Sequence, residues 1–217
     1  MDAQAALSSY EYSAARDFAS KAMSLDKSDE SGIYYSVIAR SYYEEGNYRE
    51  AIGAYNSAID LNSQNASFFN NLGSTYFALA RETDDSVEKI RLLEESVVQT
   101  KKSIDLDSSA SNVYANASTS LNELERFDES LELLQSWEGE SDGSIEYQKA
   151  ATAALLENES QVIGFLSQAI KLDNTNALRS AADEDFSSMH ANEGFRSILK
   201  TALGGELFSA VEQAWEE

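Results

Sequence analysis

The chain has 217 residues, which is enough for one or two ordinary domains or for one array of small repeated units. Its 38 acidic and 16 basic side chains give a net charge of −22, which argues against binding to nucleic acid or to an anionic membrane surface. It has no Cys and a single His, His190, so disulfides, thiol catalysis and multi-His metal sites are excluded. Apolar residues make up 42% of the chain, which is enough for a packed core.

No segment approaches the roughly 18 consecutive apolar residues of a membrane span. The first residues also lack the basic region and apolar run of a signal peptide. We therefore expect a soluble protein that does not insert into a membrane, located in the cytoplasm or outside it after removal of a leader.

A short sequence motif recurs along the chain. It consists of a small residue, an apolar residue, one variable residue and then Leu-Asp or Leu-Asn. Its copies begin at positions 22, 58, 103 and 169, with a degenerate copy at 137, so the steps are 36, 45, 34 and 32 residues. A period near 34 residues is typical of helix–turn–helix solenoids, in which each helical pair buries its apolar stripe against the next pair.

The first copies show the pattern inside the period. The first unit has a good second helix with Tyr12, Ala15 and Phe18, but only residues 2–9 remain for its first helix. The second unit carries an aromatic-x2-Ile-Ala-x2-Tyr pattern from Tyr35, and the third carries aromatic-x2-Leu-Gly-x2-Tyr from Phe69. The small residue in this pattern, Ala39 or Gly73, is expected where the two helices of a unit cross closely.

These motifs resemble the tetratricopeptide repeat (TPR). The resemblance implies an all-α fold, a right-handed superhelical solenoid of helix–turn–helix units with a C-terminal helical cap. It places a TPR array at residues 1–174, with units at about 1–31, 32–65, 66–110, 111–144 and 145–174. The repeats of this family normally end in Pro; here Ser63, Ser108 and Asn174 stand near that place and are expected to cap the next helix.

The third unit holds an insertion, because its step of 45 residues exceeds the period of 34 by 11. The additional residues fall around 80–95, where Asp84, Asp85 and Ser86 offer a helix start. The spacing predicts two lengthened helices, at about 66–82 and 86–106.

Residues 123–146 hold nine acids and one base, Arg126, a net charge of −8. Two interpretations are open: a solvated convex face, or a docking face for a basic partner, since a field of one sign speeds association with the opposite sign. The candidate docking residues are Glu125, Asp128, Glu129 and Glu132.

The tail at residues 175–217 leaves the repeat pattern and resembles the closing segment of TPR arrays. Phe186, Phe195, Ile198 and Leu199 are expected to cover the last unit. A final helix carries an apolar stripe that packs on the array or, alternatively, joins a second chain; the stripe is Leu207, Phe208, Val211 and Trp215.

The resemblance implies a concave groove lined by the first helices of the units. Asn71 and Asn116 occupy the same repeat position, and an Asn amide offers both a donor and an acceptor to an extended peptide backbone. In the next unit either Gln148 or Ala150 takes this place, and all these side chains could alternatively be no more than solvated polar residues. The candidate groove residues are Arg40, Tyr43, Asn70, Asn71, Ser74, Phe77, Asn112 and Asn116.

No catalytic residues, cofactor or metal are expected. Glu138, Glu140 and Asp142 imitate half of a calcium loop, but Lys149 stands where its closing Glu should be. The predicted function is non-catalytic binding of a protein or peptide partner, which could be basic, by a monomer or weak homo-oligomer. The alternatives are a self-assembling scaffold and an accessory domain of a longer chain, such as an enzyme or a lipoprotein.

Overall fold

The computed structural model describes residues 11–25, 30–107 and 109–216, and in these ranges it contains twelve α-helices, one 3₁₀ helix and no strand. The predicted all-α fold is thereby confirmed. In chain order the helices are α1 Tyr12–Leu25, α2 Ile33–Glu44, α3 Tyr48–Leu61, α4 Ala66–Arg81, α5 Ser86–Leu106, α6 Ser111–Glu123, α7 Phe127–Gln135, α8 Ser144–Leu155, α9 Glu159–Leu172, α10 Thr175–Ala182, the 3₁₀ helix Glu184–Met189, α11 Glu193–Leu203 and α12 Gly205–Glu216.

The chain divides between residues 108 and 109 into two compact units. In the first unit each of the helices α1 to α5 packs against the next one along the chain. In the second unit α6, α7 and α8 pack on one another, α8 packs on α9, and α10 to α12 close the end. The finer division into five repeats and a cap at residue 175 remains a prediction, and the short helix expected at residues 2–9 lies outside the described residues.

The insertion forms the two long helices that its spacing predicts. They are α4 and α5, and they cross at Gly73. A Cβ added at Gly73 would lie 2.7 Å from the Thr100 methyl group and 3.1 Å from the Ser96 carbonyl oxygen. Only glycine allows this approach, so the prediction of a close crossing at Gly73 is confirmed.

Helix capping differs from the prediction. Asn65, and not Ser63, caps α4 by accepting from the Ser67 amide at 3.1 Å. Asn174 precedes α10 but makes no side-chain cap hydrogen bond; instead Asp173 accepts from the Thr175 amide at 2.9 Å. A cap must stand directly before the first helical turn to reach its free N–H groups, and Ser63 stands two residues too early. Ser108 lies outside the described residues.

Three turns between paired helices pass through a left-handed residue. Gly46 takes this place between α2 and α3, Glu125 between α6 and α7, and Glu157 between α8 and α9. Each of the three amides donates to the carbonyl oxygen three residues earlier, so the turn geometry repeats. Glycine adopts this conformation without strain, whereas a side chain in it is strained.

The closing segment packs as predicted within the second unit, except at Ile198 and Leu207. Phe186, Phe195 and Leu199 are fully buried, while Ile198 is half-buried. In α12, Phe208 is buried, and the Trp215 indole donates to the Ala181 carbonyl oxygen at 2.8 Å and stacks on His190. Leu207 leaves the predicted stripe and is 46% exposed, because it lies beside Phe208 on a helix and so points about 100° away from it.

Candidate functional site

A cleft opens in the first unit where the exposed face of α2 meets α3 and α4. Its volume is about 260 Å³. Its walls are formed by Arg40, Tyr43, Glu44, Tyr55, Asn71 and Ser74. Four of these side chains were predicted as groove residues on sequence alone, so the structure brings Arg40, Tyr43, Asn71 and Ser74 together.

Helical spacing puts the polar side chains of the cleft on two facing helices. Arg40, Tyr43 and Glu44 stand three and four residues apart on α2, which gives them one face. Asn71 and Ser74 are three residues apart on α4. The buried residues Ala39 and Leu72 point away from the cleft and join Tyr55 in the core between the helices. Burial of one face of each helix therefore leaves the other face to line the cleft.

Tyr55 of α3 lines the cleft, although sequence reasoning did not place it in the groove. Tyr55 is 3% exposed and belongs to the core with Ala39 and Leu72, yet it also forms part of the cleft wall. A packing residue that also reaches an open surface has no separate signal in the sequence.

The cleft offers hydrogen-bonding groups of both kinds near neutral pH. Arg40 Nε lies 3.5 Å from Glu44 Oε1 in an exposed, loose ion pair. Burial raises the pKa of Tyr43 and the pKa of Tyr55, so both hydroxyls keep their protons and can donate. The arrangement can therefore bind a polar segment through donors, acceptors and aromatic rings.

The other predicted groove residues lie elsewhere. Asn70 and Phe77 are half-buried on α4 and do not line this cleft. Asn112 and Asn116 lie on α6 in the second unit, exposed and half-buried respectively. In α8, Ala150 is fully buried and Gln148 is half-buried, so only Gln148 has a side chain accessible to a partner. The row of asparagines remains a prediction.

The sequence model of the TPR repeat matches residues 39–79, from the middle of α2 through most of α4, which includes every residue that lines the cleft. A TPR protein from Thermus thermophilus has a similar fold over 93% of this chain and 95% of its own, with a TM-score of 0.62 and 14% identity. The chain therefore contains a TPR repeat and has the fold of TPR proteins.

Two further solved structures resemble this TPR protein. PilW, a type IV pilus biogenesis factor, matches over 99% of this chain and 95% of its own, with a TM-score of 0.67 and 13% identity. YrrB, a TPR protein with an unusual peptide-binding site, matches over 90% and 97%, with a TM-score of 0.58 and 15% identity. At these identities the likeness establishes the fold. No curated protein matches the TPR protein significantly by sequence.

The predicted acidic docking residues of the TPR protein lie on α7 and the turn before it. Glu125, Asp128 and Glu132 are exposed, whereas Glu129 is half-buried and accepts a hydrogen bond from Arg126. Three of the four carboxylates are therefore open to a partner. Docking to them remains a prediction.

The described part of the TPR protein gives no sign of metal binding or of a membrane span. In residues 11–25, 30–107 and 109–216, no group of three His, Asp or Glu side chains is placed to hold a metal ion. In the same ranges no helix is both long enough and apolar enough to cross a membrane.

Proposed function

We propose that this TPR protein is a non-catalytic binding protein that holds a peptide segment of a partner in the cleft of its first unit. The observation that carries this proposal is the composition of the cleft. An amide, a guanidinium group and hydroxyls surround about 260 Å³ of open space next to two aromatic rings. These are groups that recognise a peptide backbone and its polar side chains.

Each side chain has a distinct part in this proposal. The Asn71 amide donates to one backbone carbonyl and accepts from one backbone N–H, as an extended segment requires. Arg40 binds a carboxylate of the partner and exchanges its loose pair with Glu44 for a closer one. Tyr43 supplies flat apolar surface and a hydroxyl, whereas Tyr55, which is almost fully buried, forms part of the cleft wall. YrrB, which has the same fold and a peptide-binding site, supports a peptide as the kind of ligand.

The test begins with selection of linear peptides from a random displayed library on the purified protein. Titration calorimetry then compares the parent with Asn71→Ala and Arg40→Ala. Each lost hydrogen bond, worth about 0.5–1.5 kcal/mol net, should weaken binding by roughly 2- to 12-fold. The matched control is Asn56→Ala, because Asn56 is an exposed asparagine on α3 that does not line the cleft. Equal affinity of the parent and Asn71→Ala would refute the proposal.

Asn112 and Asn116 are proposed as a binding surface of the second unit and are tested separately. If they bind peptide backbone groups, some peptides from the same library should still bind Asn71→Ala, and replacing Asn112 and Asn116 by Ala should weaken the binding of those peptides by the same range. Unchanged affinity would refute this second surface and leave the proposal for the cleft in the first unit untouched.

A second candidate function is docking of a basic partner on α7, which the exposure of Glu125, Asp128 and Glu132 favours. An oligolysine peptide should bind the parent less tightly as salt rises, since surface charges are screened over about 8 Å at physiological ionic strength. Neutralising these three carboxylates should weaken binding more than neutralising Glu193, Glu206 and Glu216, which are exposed elsewhere. Equal losses in both triple variants would show attraction by net charge alone.

A further inference from the structure

The long helix α5 presents an apolar surface to solvent that the proposed function does not use. Val87 is 79% exposed, Ile90 is 53% exposed and Val98 is 58% exposed. The opposite side of α5 packs in the first unit through Leu92, Leu93, Val97 and Thr100, which are buried. Large aliphatic side chains on one exposed helix face are typical of an interaction surface.

Charges of both signs lie along this surface of α5. At 100° per residue, Val87, Arg91, Glu94 and Val98 fall within a stripe about 60° wide. The whole of α5 holds four acids and four bases, so it is neutral in a chain of net charge −22. Two copies that meet at a neutral helix are not driven apart by its net charge, and the helix has no net attraction for a basic protein.

The order of side chains in the stripe is self-complementary in one orientation. An antiparallel pair of α5 helices, with a two-fold axis between positions 92 and 93, sets Val87 against Val98 of the second copy. The same axis sets Arg91 against Glu94 of the second copy, because both pairs of positions are centred between residues 92 and 93. In a parallel pair, Arg91 would instead face Arg91 of the second copy and Glu94 would face Glu94, so like charges would meet.

We propose that α5 is a self-association surface, on which a second copy of this chain docks antiparallel through its own α5. The symmetric arrangement uses one patch on both copies, as two-fold interfaces do. It forms two Val87–Val98 contacts and two Arg91–Glu94 ion pairs. Arg91 already contacts Glu88 of its own helix at 2.8 Å, which holds the guanidinium at the surface.

The expected dimer is weak. The 11 steps from Val87 to Val98 span about 17 Å at 1.5 Å per residue. A contact of this length, one helix wide, is smaller than the standard interface of about 1,600 Å². We therefore expect a dissociation constant of roughly 0.1 mM, which sedimentation equilibrium of the whole chain can measure.

The charge pairs allow a test whose result could not arise if Arg91 and Glu94 only stabilised the fold of one chain. Arg91→Glu alone sets glutamates against each other, and Glu94→Arg alone sets arginines against each other, so each variant should stay monomeric where the parent dimerises. An equimolar mixture restores two opposite-charge pairs and should dimerise again. A mixture that behaves as the sum of its two monomeric components, or a parent that is monomeric up to about 1 mM, would overturn the proposal.

The absence of Cys from the sequence allows a second test of the orientation. Val87→Cys mixed with Val98→Cys should form a disulfide-linked heterodimer under mild oxidation faster than either variant alone, because a disulfide needs Cα atoms about 4.4–6.8 Å apart. Both valines are exposed, so the thermal unfolding of each reduced variant should match that of the parent. Equal rates in the mixture and in the single variants would overturn the antiparallel register.

Discussion

Gly73→Ala tests the close crossing of α4 and α5 by adding a single methyl group. In a helix interior, alanine is more favourable than glycine by about 1 kcal/mol. The new Cβ, however, would lie 2.7 Å from the Thr100 methyl group and 3.1 Å from the Ser96 carbonyl oxygen. Overpacking of this kind costs about 1–3 kcal/mol, and the carbonyl belongs to a backbone that cannot turn away. We expect a net destabilisation of about 1 kcal/mol, and a larger one for Gly73→Leu.

Two other glycines provide matched controls within helices. Gly53 in α3 and Gly164 in α9 have no atom within 4 Å of a Cβ placed on them. Alanine at either position should therefore stabilise the protein by about 1 kcal/mol, the helix-propensity gain without a clash. The sign of the effect should thus reverse between Gly73 and the two controls.

Thr100→Ser tests which atom causes the clash at Gly73. It removes the methyl group and keeps the hydroxyl, which donates to the Ser96 carbonyl oxygen at 2.8 Å. In the double variant Gly73→Ala/Thr100→Ser, part of the loss should be recovered, with a coupling of about 0.5–1 kcal/mol.

Urea unfolding followed by circular dichroism measures each free energy, and thermal unfolding should shift by roughly 2–4 °C per kcal/mol in a chain of this size. If Gly73→Ala is as stable as the parent while Gly53→Ala is more stable, the helices do not approach closely at Gly73, and the reasoning is wrong.

Four further variants test the turns, a carboxylate and the closing helix. Gly46→Ala should destabilise by about 1 kcal/mol through backbone strain alone, and Glu157→Gly should stabilise by about 0.5–1 kcal/mol in urea unfolding. Burial, followed by the charge of nearby Asp183, raises the pKa of Asp185 to about 6, so the native state binds its proton more tightly and loses stability as pH rises from about 4 to 6. Asp185→Asn should therefore raise the melting temperature at pH 7.5 and leave it nearly unchanged at pH 4. Trp215→Ala should lower the free energy of unfolding by about 2–3 kcal/mol while light scattering still gives the mass of the parent.

The helices and their crossings were predictable because the residues that pack between helices recur in successive repeats. Leu72 stands one 34-residue repeat after Ile38 and is buried together with Ala39 and Tyr55 in the core of the first unit. The long helices α4 and α5 also followed from arithmetic, since an 11-residue excess cannot fit in a short turn. Burial of large apolar side chains decides these elements, and burial leaves a periodic trace in the sequence.

Contacts between single polar residues far apart in the chain left no such trace. Arg16 of α1 forms an ion pair with Glu45 at 2.7 Å and lies over the Tyr42 ring. The Tyr147 hydroxyl donates to Asp183 at 2.6 Å. Each of these contacts occurs once and depends on the angle between particular helices. The same reason limits prediction of the candidate site.

The cleft and the α5 stripe differ in how strongly the sequence constrains them. Arg40 and Asn71 are placed by the buried residues beside them, Ala39 and Leu72, so the repeat pattern could indicate their face although not their partners. Val87 and Val98 instead lie on a face that packing leaves open, on the helix α5 that the insertion lengthens. Packing within the unit does not explain why large apolar side chains are exposed to water at these positions. The insertion is therefore the segment in which a function beyond the repeat is to be sought, and the charge-swap mixture is the experiment that addresses it.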